Sequence, residues 1–452
     1  MSNNVKLKQG FDIKLVGKAS ESIAKNVEAP KRYALKPEDF LGMNRPKSVV
    51  KVGAKVKAGD PILIDGKQEE IKYTSPVSGE IVEIQRGERR KLLAIVVEAD
   101  STIEYKEFPV KPVDQVSVED AKATMLESGV WPLLIRRPYA IVADPSDQPR
   151  AIFVSSFDSH PLAPNNDFTL QGQEAYIQAG VDVLKKFAPK VYVGLNGATP
   201  SKLFDNVVGV EKNKFNGPHP AGNVGVQIHH TSPIANANDV VWTISPQGLV
   251  QIGKLFKEGK YDAKQVIAVA GPKVDTPEYV ETYVGASVDT IVASKIKGDN
   301  VRVVSGNVLT GTAISKDGFL GFYSNMVTAL EEGKKSRFFL TDGWLAPITS
   351  RLSFHKAFGL LGSTSKEYAL DTNTNGQDRP FAVTGAFEKV VPMDIYPMYL
   401  LKSILAYDYE NMEALGIYEV AEEDLALCEF IDVSKHDIQK IVRQGLDTMR
   451  LD

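Results

Sequence analysis

The sequence predicts a multidomain α/β protein, and three observations predict it. Short strands punctuated by glycine and proline fill the opening residues. Strands alternate with helices through the middle. Helical spacing dominates the end. A chain of 452 residues has room for about three domains at ~150 residues each, and each is long enough to bury its own core.

Residues 1–104 read as a β-rich module. Val49–Val52 and Ile62–Ile64 are short apolar runs separated by Gly53 and by Gly59-Asp60-Pro61. Tyr73–Ile84 repeats the style with turns at Ser75-Pro76 and Ser78-Gly79, and Leu92–Val97 is a further strand. Such spacing suits a small barrel or sandwich. Residues 105–272 alternate, as a Rossmann-like parallel sheet requires. Helices are expected over Val118–Leu126, with Ser117 and Asp120 forming a cap region, and over Leu170–Phe187, Ser201–Val207 and Gln247–Glu258. Strands are expected over Ala151–Ser155, Lys190–Leu195, Asp239–Ile244 and Gln265–Ala270. Residues 273–335 turn β-rich again, with strands at Val301–Val304, Val308–Ala313 and Phe319–Tyr323. Residues 336–452 offer a strand at Phe338–Leu340 and an exposed loop at Thr372–Pro380. Helices follow at Pro397–Leu405, Asn411–Leu415, Glu422–Leu427 and Lys435–Met449.

Lysine and arginine number 53 against 57 aspartates and glutamates, a net charge of −4 that argues against a dedicated nucleic-acid binder. One cysteine, Cys428, cannot form an internal disulfide, an all-cysteine zinc site or a standard iron–sulfur site. That usage suits a reducing, cytoplasmic location. No run approaches the ~18 apolar residues of a membrane span, and Met1–Gly10 lacks the apolar core of a secretory signal.

Val49–Ile84 has the rhythm of a lipoyl or biotinyl carrier, with Val50-Lys51-Val52-Gly53 in its first half and Ser75-Pro76-Val77-Ser78-Gly79 closing its second. Lys67 sits where a carrier lysine would, in Gly66-Lys67-Gln68-Glu69, but lacks the usual Met or Asp neighbours, so a structural module is expected. Val191-Tyr192-Val193-Gly194-Leu195-Asn196-Gly197 is the best mononucleotide-loop candidate. It is neither G-x-G-x-x-G nor a P-loop, and no dinucleotide is expected. Gly217-Pro218-His219-Pro220-Ala221-Gly222, running on to His229-His230, holds half of the six histidines. Prolines on both sides of His219 fix its backbone. The imidazoles could hydrogen-bond a quinone carbonyl or meet a partner subunit, and a metal site would need more converging ligands. Arg136-Arg137, beside Tyr139 and Trp131, could hold an anionic group or an acidic partner face. No nucleophile elbow, catalytic cysteine context or acid–base pair stands out, so neither catalytic nor metal-ligating residues are expected.

Lys6–Asp12, Ser75–Ile81, Arg86–Arg90, Gly129–Trp131, Arg136–Pro138 and above all Gly217–His230 resemble, in order, one family: the A subunits of the bacterial Na+-translocating NADH:quinone oxidoreductase. The resemblance runs over nearly the whole chain. It implies a peripheral subunit on the cytoplasmic face of the inner membrane, in a complex that oxidises NADH, reduces quinone and exports Na+. It also implies kinship with the NADH-binding subunit of respiratory complex I and the C subunit of the Rnf complex. The expected units are then a barrel-sandwich (lipoyl-like) module, a Rossmann-like domain, a β-grasp domain like the soluble-ligand-binding (SLBB) fold and a helical C-terminal domain.

Those relatives hold FMN on a Gly-Ala-Tyr-Ile-Cys-Gly-Glu-Glu loop and a cluster on C-terminal cysteines. Here the loop has no counterpart and Cys428 stands alone in Leu425–Phe430. The chain is therefore expected to bind no redox cofactor, leaving NADH, FAD, FMN and iron–sulfur centres to other subunits. Its role would be assembly and quinone handling. Gly217, Pro218, His219, Pro220, Gly222, His229, His230, Arg136 and Arg137 are the candidates for quinone or partner contact. The competing expectations are a stand-alone flavin- or NAD-dependent oxidoreductase on this scaffold and a lipoyl or biotinyl carrier.

Overall fold

The computed structural model describes residues 3–25, 27–334, 352, 354 and 366–451. The N-terminal unit is a barrel-sandwich of two small antiparallel sheets. One runs Arg32–Leu35, Leu92–Ala99, Gly79–Arg86, Lys55–Val56. The other runs Pro46–Ser48, Pro61–Asp65, Gln68–Thr74. Alternating side chains of both, Ile62, Ile71, Ile81, Ile95 and Val97 among them, fill the space between them. Gly79 is required where it stands: a Cβ there would collide with the Glu98 carbonyl of the next strand. Lys67 is exposed at the tip of the hairpin between Pro61–Asp65 and Gln68–Thr74. The turn is organised by buried Asp65, whose carboxylate accepts the backbone N–H groups of Asn44 (2.8 Å), Arg45 (2.9 Å) and Lys67 (3.0 Å).

The second unit carries a seven-stranded sheet in the order Asn4–Lys6, Glu211–Asn216, Val191–Asn196, Ile152–Ser155, Val241–Thr243, Ile135–Arg137, Ile141–Val142. The first five strands are parallel, and the last two add an antiparallel edge. Period-two alternation splits its side chains between two cores. Ile152, Val154, Val193 and Trp242 face the helices Glu174–Leu184 and Pro246–Glu258. Phe153, Tyr192 and Val241 face the helix Val224–Thr231 and the C-terminal helices.

Two helix starts are local and hold. Ser117 Oγ accepts the Asp120 N–H (3.0 Å) to start Val118–Ser128, and Ser245 Oγ accepts the Gly248 N–H (3.1 Å) to start Pro246–Glu258. The helix expected over Leu170–Phe187 is shorter, Glu174–Leu184, and Gly172 with φ +79° separates it from a short helix at Asn166–Thr169. Ser201–Val207 forms turns instead of a helix; Ser201 Oγ donates to Asp167 (2.9 Å) and accepts the Phe204 N–H.

The third sheet has six strands in the order Thr312–Ile314, Val301–Ser305, Met326–Glu331, Lys264–Ala270, Glu278–Tyr283, Ser20–Ile23. Two placements differ from the sequence reading. The strand expected at Gln265–Ala270 sits at the centre of this sheet and not in the parallel one. The chain's first two strands leave the N-terminal β-rich unit, one for each of the larger sheets. Met326–Glu331 is a strand that sequence reasoning missed. The expected Val308–Ala313 strand shrinks to Thr312–Ile314, since Asn307 Oδ1 turns the chain by taking the Leu309 and Thr310 N–H groups. Phe319–Tyr323 makes only an isolated bridge to Ser287. Phe338–Leu340 lies outside the described residues.

The C-terminal unit packs Pro397–Ala406, Tyr409–Ala414, Ala426–Ile431 and Ile438–Leu451 around Leu400, Leu401, Cys428, Val442 and Leu446.

Candidate functional site

The Gly217–Gly222 loop leaves the strand Glu211–Asn216 and enters the helix Val224–Thr231. It lies beyond the carboxyl end of a parallel strand, as does the Ser155–His160 segment that follows Ile152–Ser155. The two loops meet. Ser155 Oγ donates to the Gly222 carbonyl (2.8 Å), and Ser159 Oγ accepts the Gly222 N–H (2.8 Å). Ser159 also lies 3.0 Å from His219 Nδ1. The His219 backbone is held as well: its main-chain N–H donates to Asp12 Oδ1 (2.9 Å) and its carbonyl accepts the Phe11 N–H (2.8 Å). The His219–Pro220 bond is cis. His219 is 4% exposed, and burial, with His160 nearby, pushes its pKa down to about 3, so the imidazole is neutral at neutral pH. Beside it opens a cleft of about 470 Å³ lined by Asp12, Leu15, Lys18, Ser159, His160 and Leu162, among others.

His229 and His230 are taken up elsewhere. On the helix Val224–Thr231 they diverge, rings perpendicular, with centroids 5.0 Å apart. His229 Nε2 accepts the Asp394 N–H (3.0 Å), so its proton is on Nδ1 and goes to Glu419 Oε2 (2.7 Å). His230 Nε2 donates to the Pro392 carbonyl (2.7 Å), and burial lowers its pKa. Both rings thus pin the C-terminal unit to the α/β unit.

Arg137 does the same from the antiparallel edge. It reaches Glu423 (2.7 Å) and Asp424 (3.4 Å), and its own side chain is 4% exposed. Burial alone would lower the guanidinium's pKa, but Asp424, Glu423 and Glu422 outweigh it and hold it raised. Burial pushes Asp424 up, and Arg137 opposes that shift. Asn223 Nδ2 ties the same acidic turn to the His219 loop by donating to the Glu423 carbonyl (3.0 Å). Arg136 instead pairs with Asp147 (3.0 Å) and lies 5.9 Å from the Tyr139 ring centroid.

The nine candidates therefore do not form one site. His219 lies behind Asp12 and Ser159 of a cleft, His229, His230 and Arg137 hold a seam, and Arg136 stands apart. Sequence reasoning missed Asp12, Ser155, Ser159 and His160 on the cleft side, and Asp394, Glu419, Glu423 and Asp424 on the seam. The tendency of open α/β sheets to bind beyond their strands' carboxyl ends could have found Ser155–His160. The seam acids carry no local signal.

The glycines of Val191–Pro200 serve packing. A Cβ on Gly194 would meet the Gln227 amide, and one on Gly197 would meet the Asn216 side chain. Asn196 Oδ1 takes the Ala198 (2.9 Å) and Thr199 (3.3 Å) N–H groups itself. Cys428 is fully buried, and its thiol is pushed up by that burial. Among the described residues no group of three or more His, Cys, Asp or Glu could hold a metal ion, and no helix is long and apolar enough to cross a membrane.

Residues 5–100 match the family described as the NqrA N-terminal barrel-sandwich hybrid domain, residues 116–261 the NqrA second alpha/beta domain, and residues 266–316 the NQRA C-terminal domain. The chain is 36% identical to the A subunit of the Na(+)-translocating NADH-quinone reductase of Serratia proteamaculans, over 98% of each chain. It is also 36% identical to the corresponding protein of Vibrio vulnificus, over 98% of this chain and 99% of the other. An NAD+-reducing NiFe-hydrogenase chain shares 12% identity over 77% of this chain and 67% of its own, with a TM-score of 0.38. The chain belongs to the family of A subunits of the Na+-translocating NADH:quinone reductase.

Proposed function

We propose that the chain works as the peripheral A subunit, on the cytoplasmic face of the membrane, of a complex that oxidises NADH, reduces quinone and exports Na+. The observation that carries this is the similarity to A subunits over nearly the full length of both chains. Its part is scaffolding: its four units are bound to one another, and electrons pass through flavins and iron–sulfur centres on other subunits. The test is a tagged pull-down from detergent-solubilised membranes, with Na+ stimulation of NADH:quinone activity assayed on the product. Co-purification with flavin-carrying subunits and a Na+-stimulated activity is the expected result. A chain that comes through alone would return the stand-alone oxidoreductase to the front.

Quinone contact, where this protein makes it, is best placed at the cleft beside His219. His229, His230 and Arg137 spend their polar atoms on the C-terminal unit, whereas His219 contacts Asp12 and Ser159, which line the cleft together with Leu15, Leu162 and the charged Lys14, Lys18 and Glu367. A quinone titration of the His219→Ala chain tests this. Loss of binding with melting temperature retained supports the placement, and unchanged binding rejects it.

A further inference from the structure

Five exposed large side chains cluster on the C-terminal unit: Tyr396 (59%), Tyr399 (51%), Leu405 (46%), Tyr407 (55%) and Tyr409 (43%). The helix Pro397–Ala406 buries Leu400, Leu401 and Ile404 on its inner side, against Ile438–Leu451. Gly445 on that partner helix admits Ile404 so closely that a Cβ would lie 2.8 Å from its Cδ1. Tyr396 and Tyr399, three residues apart, share the outer face with Ser403 and Ala406.

Tyr407 ends the helix at φ +54°, a left-handed position that glycine or asparagine fills at lower cost. The tyrosine is held there with its hydroxyl accepting from Gln444 Nε2 (2.9 Å). Around these rings the acids Asp394, Asp408, Glu410 and Glu413 outnumber the lysines Lys402 and Lys440, the latter one turn from Gln444 on its helix. An anionic lipid surface or a nucleic acid would be repelled by that excess. Tyrosine faces rimmed by carboxylates complement lysine and arginine, which stack on the rings and pair with the rim.

We propose that the Tyr396–Tyr399–Tyr407 face docks onto a lysine- and arginine-rich cytoplasmic segment of a membrane-embedded subunit. Cytoplasmic loops of membrane proteins carry that excess of positive charge. The inference rests on the complex membership proposed above, and its test separates the two. The full chain and its Tyr396→Ser/Tyr399→Ser variant are each expressed with the other subunits and captured through a tag on a membrane subunit. The amount of this protein retained is measured after washes at about 0.15 M and about 1 M salt. The wild type is expected to stay, with retention of the double variant reduced about tenfold or more, as for central aromatic anchors. Glu410→Lys, on the acidic rim, is expected to weaken retention chiefly at the lower salt.

A folded double variant retained like the wild type overturns the docking face and leaves complex membership standing. A wild-type chain that is not captured overturns both. If the double variant melts early, Tyr399→Ser and Glu410→Lys carry the test alone. Vesicles of phosphatidylglycerol and phosphatidylethanolamine without protein should leave the wild-type chain in solution. Pelleting that depends on Tyr396 and Tyr399 would overturn the protein partner in favour of the bilayer.

Discussion

His229 donates its Nδ1–H to Glu419 Oε2 at 2.7 Å. It can do so because the Asp394 N–H, donating to Nε2 at 3.0 Å, fixes the tautomer. Two pieces of the C-terminal unit are thereby bonded to one ring of the α/β unit.

His229→Ala should therefore loosen the seam. It leaves the Asp394 N–H and the Glu419 carboxylate without their partner, at a cost of about 1–3 kcal/mol. The expected result is a lower melting temperature and faster protease cleavage between residues 390 and 420. Cleavage at the wild-type rate would show that the contact contributes nothing to docking.

Arg137→Met should cost more. Removing the guanidinium strands Asp424, whose side chain is 0% exposed, and breaking a buried pair this way costs about 3–5 kcal/mol. Asp424→Asn added to Arg137→Met should recover part of the loss, since a neutral amide needs no countercharge. Denaturant titrations of both singles and the double variant check this. Additive effects would mean the pair is not coupled.

His219 makes acid stability steep. Unfolded, it titrates near its ordinary 6.5; folded, burial holds it at about 3. Between those values the unfolded chain binds the extra proton. The site's contribution to stability is complete above about pH 6.5 and is lost as pH falls toward 3, at up to ~1.4 kcal/mol per pH unit. His219→Gln should flatten the dependence of unfolding free energy on pH across that window. A variant as steep as the wild type would show that the folded imidazole is charged.

Gly253 lets two helices touch. A Cβ there would clash with the Tyr176 carbonyl of Glu174–Leu184. Gly253→Ala should destabilise by about 1–3 kcal/mol through overpacking. Thermal unfolding of the full chain measures it, and an unchanged midpoint would mean that the helices separate freely.

What could be read from the chain was what is encoded locally. Ser117 and Ser245 announce the helices they cap, and Ser75-Pro76 and Ser78-Gly79 mark the turns of the barrel-sandwich. Partner choice was not local. Nothing in Lys264–Ala270 says which sheet receives it, because a fully buried strand looks the same in either. Met326–Glu331, buried on both faces, shows no alternation to betray it. The candidate residues were legible by type and not by grouping. His219, His229 and His230 sit within one short stretch of sequence, yet the helix between them sends the first to a cleft and the others to a seam. Glu419, the acid that His229 meets, lies 190 residues downstream, and Asp424 lies 287 residues beyond its partner Arg137.

The two strands that leave the N-terminal unit give the chain an order of events. Asn4–Lys6 is made first, yet it pairs with Lys214–Asn216, and Ser20–Ile23 waits for Glu278–Tyr283. At roughly 5–20 residues per second the first strand stays single for about 10–40 s while the ribosome supplies its neighbour. The barrel-sandwich between them can close long before, so its nascent form carries an unmatched tail through most of synthesis. The last knot tied in this protein is its beginning.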